Sequence, residues 1–238
     1  RSSDLDMTYD ELLLAYKVQM EGLIKGGVDA ILIETIFDTL NAKVAIDAAM
    51  QVMEQLDKAL PIMLSVTISD LAGRTLSGQT LEAFLASIST YPIFSVGLNC
   101  SFGATQMKPF LRDLSRIAPY YISAYPNAGL PNSMGLYDET AETMAPKMGE
   151  LVDEGLVNII GGCCGTDETF IAAYCPLVVG KKPHVPCAKP TTMWLSGLEL
   201  LNVTPEVEFV NVGERCNVAG SRKFLRLIKE KNYDEALG

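Results

Sequence analysis

The chain has 238 residues, 48% hydrophobic and 20% charged, which excludes low-complexity disorder and leaves room for one large α/β domain, or one domain plus part of another. A formal net charge of −10 argues against a nucleic-acid partner, whose phosphates it would repel, and no apolar run approaches the roughly 20 residues of a membrane span. Six cysteines are too sparse for a disulfide scaffold and fit metal or catalytic thiols in a reducing, cytoplasmic compartment, while the start at Arg1 reads as an excised piece.

Thr8 and Glu11 have capping-box spacing, which predicts a helix over 9–25 that Gly26 and Gly27 end. "VDAILIET" (28–35) predicts a buried strand, and alanine-rich helical periodicity follows over 38–57. "PIMLSVTI" (61–68) is the next strand, with Pro61 tolerated at its first position. A glycine-bearing loop leads to a helix, "TLEAFLASIS" (80–89). Then come "FSVGLNC" (94–100, strand), "ATQMKPFLRDLSRIA" (104–118, helix) and "YYISAYPNAG" (120–129, strand and loop). A helix over 138–155, a strand "VNIIGGCC" (157–164) and a helix over 167–179 follow. Short apolar strands separated by helices are the pattern of parallel βαβ units, and five such units precede residue 180. The pattern does not separate a closed barrel from an open doubly wound sheet.

The texture then changes. "KKPHVPCAKPTT" (181–192) is proline-rich and reads as an extended linker, with "MWLSGLELLNVTPEVE" (193–208) wandering after it. "FVNVGERCNVAGS" (209–221) reads as a new strand and loop, and 222–238 as a helix. His184, the single histidine, reads as a solvated linker residue; Cys175 and Met50, Met53 and Met63 read as core.

Each polar or glycine-bearing segment of functional character falls at the C-terminal end of a strand: Glu34-Thr35, Ser69-Asp70, Asn99-Cys100, Pro126-Asn127 and Cys163-Cys164. In parallel α/β folds that edge is the functional face. If the sheet closes into a barrel, Cys100, Cys163 and Cys164 converge there, and three thiolates suit a soft or borderline ion, above all Zn²⁺. Three protein ligands leave one position open, the arrangement of a catalytic site. Ordinary buried cysteines are the competing reading, but two adjacent cysteines between glycines are more than a core requires.

"GLNCSFGA", "YPNAGLP" and "GGCCGT" together resemble the zinc-dependent homocysteine methyltransferases, and the continuation into "FVNVGERCNVAGS" is most similar to the cobalamin-dependent methionine synthases, at the opening of their folate-binding barrel. The resemblance implies a parallel (βα) barrel of the TIM type with about five of eight units present, followed by a linker and the first strand and helix of a second barrel. It implies a homocysteine-binding zinc domain over 1–180, a linker over 181–205 and a truncated folate-binding domain over 206–238. It implies Zn²⁺ on Cys100, Cys163 and Cys164, with the homocysteine sulfur at the fourth position. That thiolate accepts a methyl group from methylcobalamin, which 5-methyltetrahydrofolate recharges; the cobalamin-binding sequence lies in other modules of the same polypeptide. Glu34 is implied as partner of the substrate ammonium and Asn127 as a residue able to approach zinc. Ala128 and Gly129 are implied as backbone donors to the substrate carboxylate, Ser101 with Phe102 as pocket lining, and Glu214 and Asn217 as folate contacts in an incomplete site. Alternatives are a homocysteine methyltransferase with another methyl donor, or a non-catalytic zinc or thiol module. With three strands of the barrel absent, the isolated piece is expected to fold poorly, to pair its open edges or to keep a partly formed sheet, and to be inactive.

Overall fold

The computed structural model describes residues 7–207, 209–210 and 218–237, in two compact units divided between residues 202 and 203. Helix α1 (Tyr9–Lys25) starts at the expected capping box: the Thr8 N–H donates to Glu11 Oε2 at 2.7 Å, and the Glu11 N–H points back to the Thr8 hydroxyl. The chain then alternates through β1 (Ile31–Ile36), α2 (Thr39–Gln55), β2 (Ile62–Val66), α3 (Leu81–Ile88), β3 (Ile93–Asn99), α4 (Ala104–Ile117), β4 (Tyr121–Tyr125), α5 (Ala141–Asp153), β5 (Ile159–Ile160) and α6 (Glu168–Tyr174). Side-chain oxygens of Asp38, Thr80 and Asp167 cap α2, α3 and α6.

All five strands are parallel and lie in the order β1-β2-β3-β4-β5, each beside its neighbour in sequence. A doubly wound sheet reverses its strand order at a switch point; this one never does, as in a partial TIM-like barrel. Ile31, Ile33, Leu64, Val66, Val96, Leu98, Ile122 and Ala124 pack into the core with the helices. In α3, Leu81, Phe84, Leu85 and Ile88 recur at helical spacing and are all buried, each worth roughly 1.5–3 kcal/mol for full burial. Alternate strand positions face the other side of the sheet, where Ser65, Gly97 and Ser123 stand in register across β2, β3 and β4.

β5 is shorter than the expected strand over 157–164. Its ladder nevertheless continues beyond Ile159–Ile160: Asn158 N–H donates to Ile122 O, Gly161 N–H to Ala124 O and Cys163 N–H to Pro126 O, at 2.8–3.0 Å. Cys175 is exposed at the start of a 3₁₀ turn, not core, because α6 ends one residue earlier. Met53 is buried and Met63 half-buried, as core residues are, but Met50 is exposed.

The proline-rich segment is pinned where a solvated linker was expected. His184 N–H donates to Val157 O at 3.3 Å, the Asn158 amide donates to His184 O at 2.7 Å, and Cys187 N–H donates to Ala118 O at 3.0 Å. The His184 ring lies with Nδ1 3.2 Å from Gly155 O, and its Nε2 is buried without a hydrogen-bond partner. Burial lowers the His184 pKa, an effect only partly offset by that carbonyl. The unfolded chain therefore takes up a proton at higher pH than the folded one does. The stability linked to this group is fully present above about pH 6.5 and is lost as pH falls toward the lower folded pKa. The thermal midpoint is expected to drop more steeply below about pH 6.5 in the parent chain than in His184→Gln; parallel pH profiles for the two would refute the assignment.

Residues 193–203, expected as a wandering part of the linker, form a hairpin of β6 (Met193–Ser196) and β7 (Leu200–Val203). It lies against α3: Ser196 Oγ donates to Ala83 O at 2.7 Å, and Thr80 N–H donates to Leu198 O at 3.0 Å. Arg74 and Glu199 form an ion pair beside it.

In the second unit, the helix expected over 222–238 is two: α7 (Arg222–Lys229), capped by the Ser221 hydroxyl, and α8 (Tyr233–Leu237). Lys231 breaks them apart at φ 58°, and Asn232 N–H closes the turn on Leu227 O at 2.9 Å. Glu214, Cys216 and Asn217 lie outside the described residues.

Candidate metal centre

Cys100 directly follows β3. It and Ser101 adopt left-handed backbone conformations, φ 64° and 58°, of a kind that costs on the order of 1–3 kcal/mol each in a non-glycine residue. Two bonds hold them there: Cys100 N–H donates to Tyr125 O at 3.1 Å, and Phe102 N–H closes a three-residue turn on Cys100 O at 2.7 Å.

The cysteine pair sits in the turn after β5. Cys163 N–H donates to Pro126 O, and the Cys163 carbonyl accepts from both the Thr166 N–H and its hydroxyl, the latter at 2.8 Å. The flanking glycines are required by close approach. A Cβ at Gly162 would lie 2.3 Å from the Thr166 hydroxyl, and one at Gly165 (φ 82°) would lie 2.5 Å from the Tyr137 side chain. Cys164 is tied on both sides to the loop after β4: its N–H donates to Asn127 Oδ1 at 3.1 Å, and its carbonyl accepts from Ala128 N–H at 2.9 Å.

These constraints bring three sulfurs together. Cys100 Sγ is 3.6 Å from Cys164 Sγ, Cys163 Sγ is 3.9 Å from Cys164 Sγ, and all three lie within 4.8 Å of one another. Three thiolates at about 2.3 Å from one tetrahedral zinc would stand about 3.8 Å apart, so the cluster fits that ion. It is the one group of three or more potential ligand side chains among the described residues. All three cysteines are partly accessible, as an exchangeable site requires.

The electrostatics also call for a cation. Burial pushes the Cys163 thiol up to about 12 despite the Asn99 amide, and the neighbouring sulfurs add to the rise. Burial raises Cys164 as well, but hydrogen bonds from Cys100, Tyr137 and Cys163 outweigh it and bring that thiol below its ordinary value. One sulfur ionises at the expense of the next, as crowded like charges do, and a divalent ion removes that conflict. Tyr137, which the sequence reading passed over, is raised by burial first and then by its hydrogen bond to Cys164. A lone tyrosine in a loop carries no sequence signal for that contact.

The other expected site residues are distributed as follows. Glu34 is exposed near the C-terminal end of β1, one residue before Thr35, which itself bonds to Asn99. Asn127, expected as a residue able to approach zinc, is 2% exposed, and its Oδ1 accepts from the Cys164 N–H. Ala128 N–H is committed to Cys164 O, and Gly129 N–H closes a three-residue turn on Asn127 O at 2.8 Å. Ser101 and Phe102 are half-buried beside Cys100.

A sequence profile described as homocysteine S-methyltransferase matches residues 2–178, which hold the whole cysteine cluster. The chain belongs to the homocysteine S-methyltransferase family. Solved structures of the homocysteine methyltransferase MmuM from Escherichia coli share the fold. The apo form is 20% identical with a TM-score of 0.54, covering 73% of this chain and 59% of that one. The oxidized and metallated forms are each 22% identical, with TM-scores of 0.51 and 0.50, and each covers 68% of this chain and 51% of that one. This family member thus spans 51–59% of the length of the solved structures it matches. Family membership and the sulfur geometry agree: the cluster of Cys100, Cys163 and Cys164 is consistent with a Zn²⁺ site. No helix among the described residues is long and apolar enough to cross a membrane.

Proposed function

We propose that this chain is the homocysteine-binding module of a cobalamin-dependent methionine synthase, with residues 1–180 as the zinc domain, 181–205 as the connecting segment and 206–238 as the start of a folate-binding domain. The observation that carries the reading is that, among the described residues, a cluster of three sulfurs and not four stands at the C-terminal edge of a parallel sheet. Three thiolates complete a structural zinc site only with a fourth protein ligand; without one, the fourth position would be left to a substrate atom. A Zn²⁺ ion held by Cys100, Cys163 and Cys164 supplies the charge that lowers the pKa of a homocysteine thiol at neutral pH.

The chain's own residues bind and orient the substrate. The Glu34 carboxylate receives the ammonium group. The carboxylate group is taken by Gly129 N–H, the cheaper donor to release because its present bond spans only a three-residue turn, whereas Ala128 N–H bridges two segments. Asn127 fixes the Cys164 backbone, and Ser101 with Phe102 lines the side of the pocket. With a divalent ion bound, the thiolates of Cys100, Cys163 and Cys164 would leave one negative charge in excess and would keep a substrate sulfur electron-rich toward a methyl donor. The chain's contribution is orientation and exclusion of water rather than proton transfer. Methylcobalamin as donor, recharged by 5-methyltetrahydrofolate, rests on the resemblance of 209–221 to the folate-binding opening.

X-ray absorption at the zinc edge tests the reading. Zinc-loaded protein should show three sulfurs plus one lighter neighbour, and addition of homocysteine should convert this to four sulfurs. An unchanged spectrum at saturating homocysteine would sink the proposal.

A further inference from the structure

Asn99, the last residue of β3, is 1% exposed, and its amide is used at all four hydrogen-bonding positions. Its Oδ1 accepts from Thr35 N–H at 3.1 Å and from the Ser65 hydroxyl at 2.8 Å. Its Nδ2 donates to Thr35 Oγ1 at 3.0 Å and to Cys163 Sγ at 3.8 Å. The orientation of the amide follows from its surroundings. A backbone N–H can only donate, so the oxygen must face Thr35 N, and the NH₂ end is left for the sulfur.

This side chain joins β1, β2 and β3 to the cysteine turn. Thr35 is a non-glycine residue at φ 60°, held there by two bonds to Asn99, and it directly follows Glu34. Among the described residues, the Asn99 amide is the one side-chain donor that reaches Cys163 Sγ from outside the cluster. A neutral amide keeps its N–H at every pH and adds no charge to a site already in excess of negative charge. Groups that hold a metal ligand from behind fix its direction and typically change metal affinity 10–100-fold when removed.

We propose that Asn99 is a positioning residue that aims the Cys163 sulfur at the metal and, through Thr35, sets the strand end that carries Glu34 in fixed relation to it. The inference rests on the reading of the cysteine cluster as a metal centre. It predicts that the two halves of the site, thiolate and carboxylate, share a single buried support.

The test is a Co²⁺ titration of the full chain, followed by the sulfur-to-cobalt charge-transfer band. Asn99→Asp keeps the shape and both acceptor bonds but turns the donor facing Cys163 into a negative oxygen. Cobalt affinity is expected to fall about 10–100-fold, with the band shifted to longer wavelength as the sulfur loses its hydrogen bond. Asn99→Ser is read in the same way if Asn99→Asp does not give folded protein. Ser65→Ala, which removes a bond at the other end of the amide, is expected to leave affinity and band in place. Affinity within twofold of the parent chain and an unmoved band in a folded Asn99 variant would overturn the proposal. So would an equal loss in Ser65→Ala, which would mean that Asn99 acts only through the fold. Cys163→Ser is measured alongside: if it retains cobalt, the metal-centre reading falls and Asn99 falls with it, whereas if it loses cobalt and the Asn99 variants do not, only the present inference fails.

Discussion

Replacing Cys163 or Cys164 with serine is expected to abolish retention of zinc. A serine hydroxyl is nearly the size of a thiol but stays protonated at neutral pH and offers a harder, weaker donor atom to a borderline ion. The three sulfurs are supplied from only two places, the end of β3 and the turn after β5, and no other His, Cys, Asp or Glu among the described residues completes a ligand group there. No described side chain stands ready to replace a lost thiolate. The affinity should fall by more than about 100-fold, the upper end of what losing a supporting group behind a ligand costs. Metal content after passage over a chelating resin reads this directly, with far-UV circular dichroism to show that the fold persists. Cys175→Ser is the control, because that thiol is exposed and outside the cluster. Zinc that stays bound when both Cys163 and Cys164 are replaced would show that the ligands have been misassigned.

Gly97→Ala is expected to destabilise the fold by about 3 kcal/mol, at the upper end of what overpacking a core costs. Gly97 lies in the middle of β3, in register with Ser65 and Ser123. A Cβ there would fall 2.0 Å from Ser123 Oγ and 2.1 Å from the Ser123 carbonyl oxygen. The hydroxyl can rotate away, but the carbonyl is part of the β4 backbone and cannot move without opening the β3–β4 ladder. A loss of this size is a large share of the 5–15 kcal/mol that separates folded from unfolded domains. Urea unfolding checks it, and a midpoint within error of the parent chain would show that β4 yields more easily than its ladder suggests.

The elements whose signals are local were legible in the sequence. Thr8 and Glu11 announce α1 because a capping box is closed within one turn, and the five βα units show as apolar runs punctuated by glycine and polar residues. The cysteine pair was legible for a similar reason: two adjacent thiols among glycines have few structural uses. What escaped depends on partners far along the chain. Residues 181–192 look like linker because their prolines lack the N–H that ladders and helix interiors need, yet the pinning is done by the backbone of His184 and Cys187, which leaves no mark in side-chain pattern. Asn99 looks like a residue ending a strand; its partners Thr35, Ser65 and Cys163 come from three other elements, and only the register of the sheet brings them to it. The barrel-like order became readable only with the strand pairing, because apolar strands separated by helices serve open and closed sheets alike.

The sequential strand order also has a temporal consequence. Each strand docks only on the one made just before it, so the sheet can grow step by step as the polypeptide leaves the ribosome. Cys100 emerges with the third strand, but its two partner thiols arrive only after the fifth. Until then the growing chain presents one isolated thiol from this cluster, too few donors to hold an ion firmly. Metal capture by the cluster would therefore wait until β5 and the turn after it are in place, and a bound ion would tie the third strand of the sheet to the fifth.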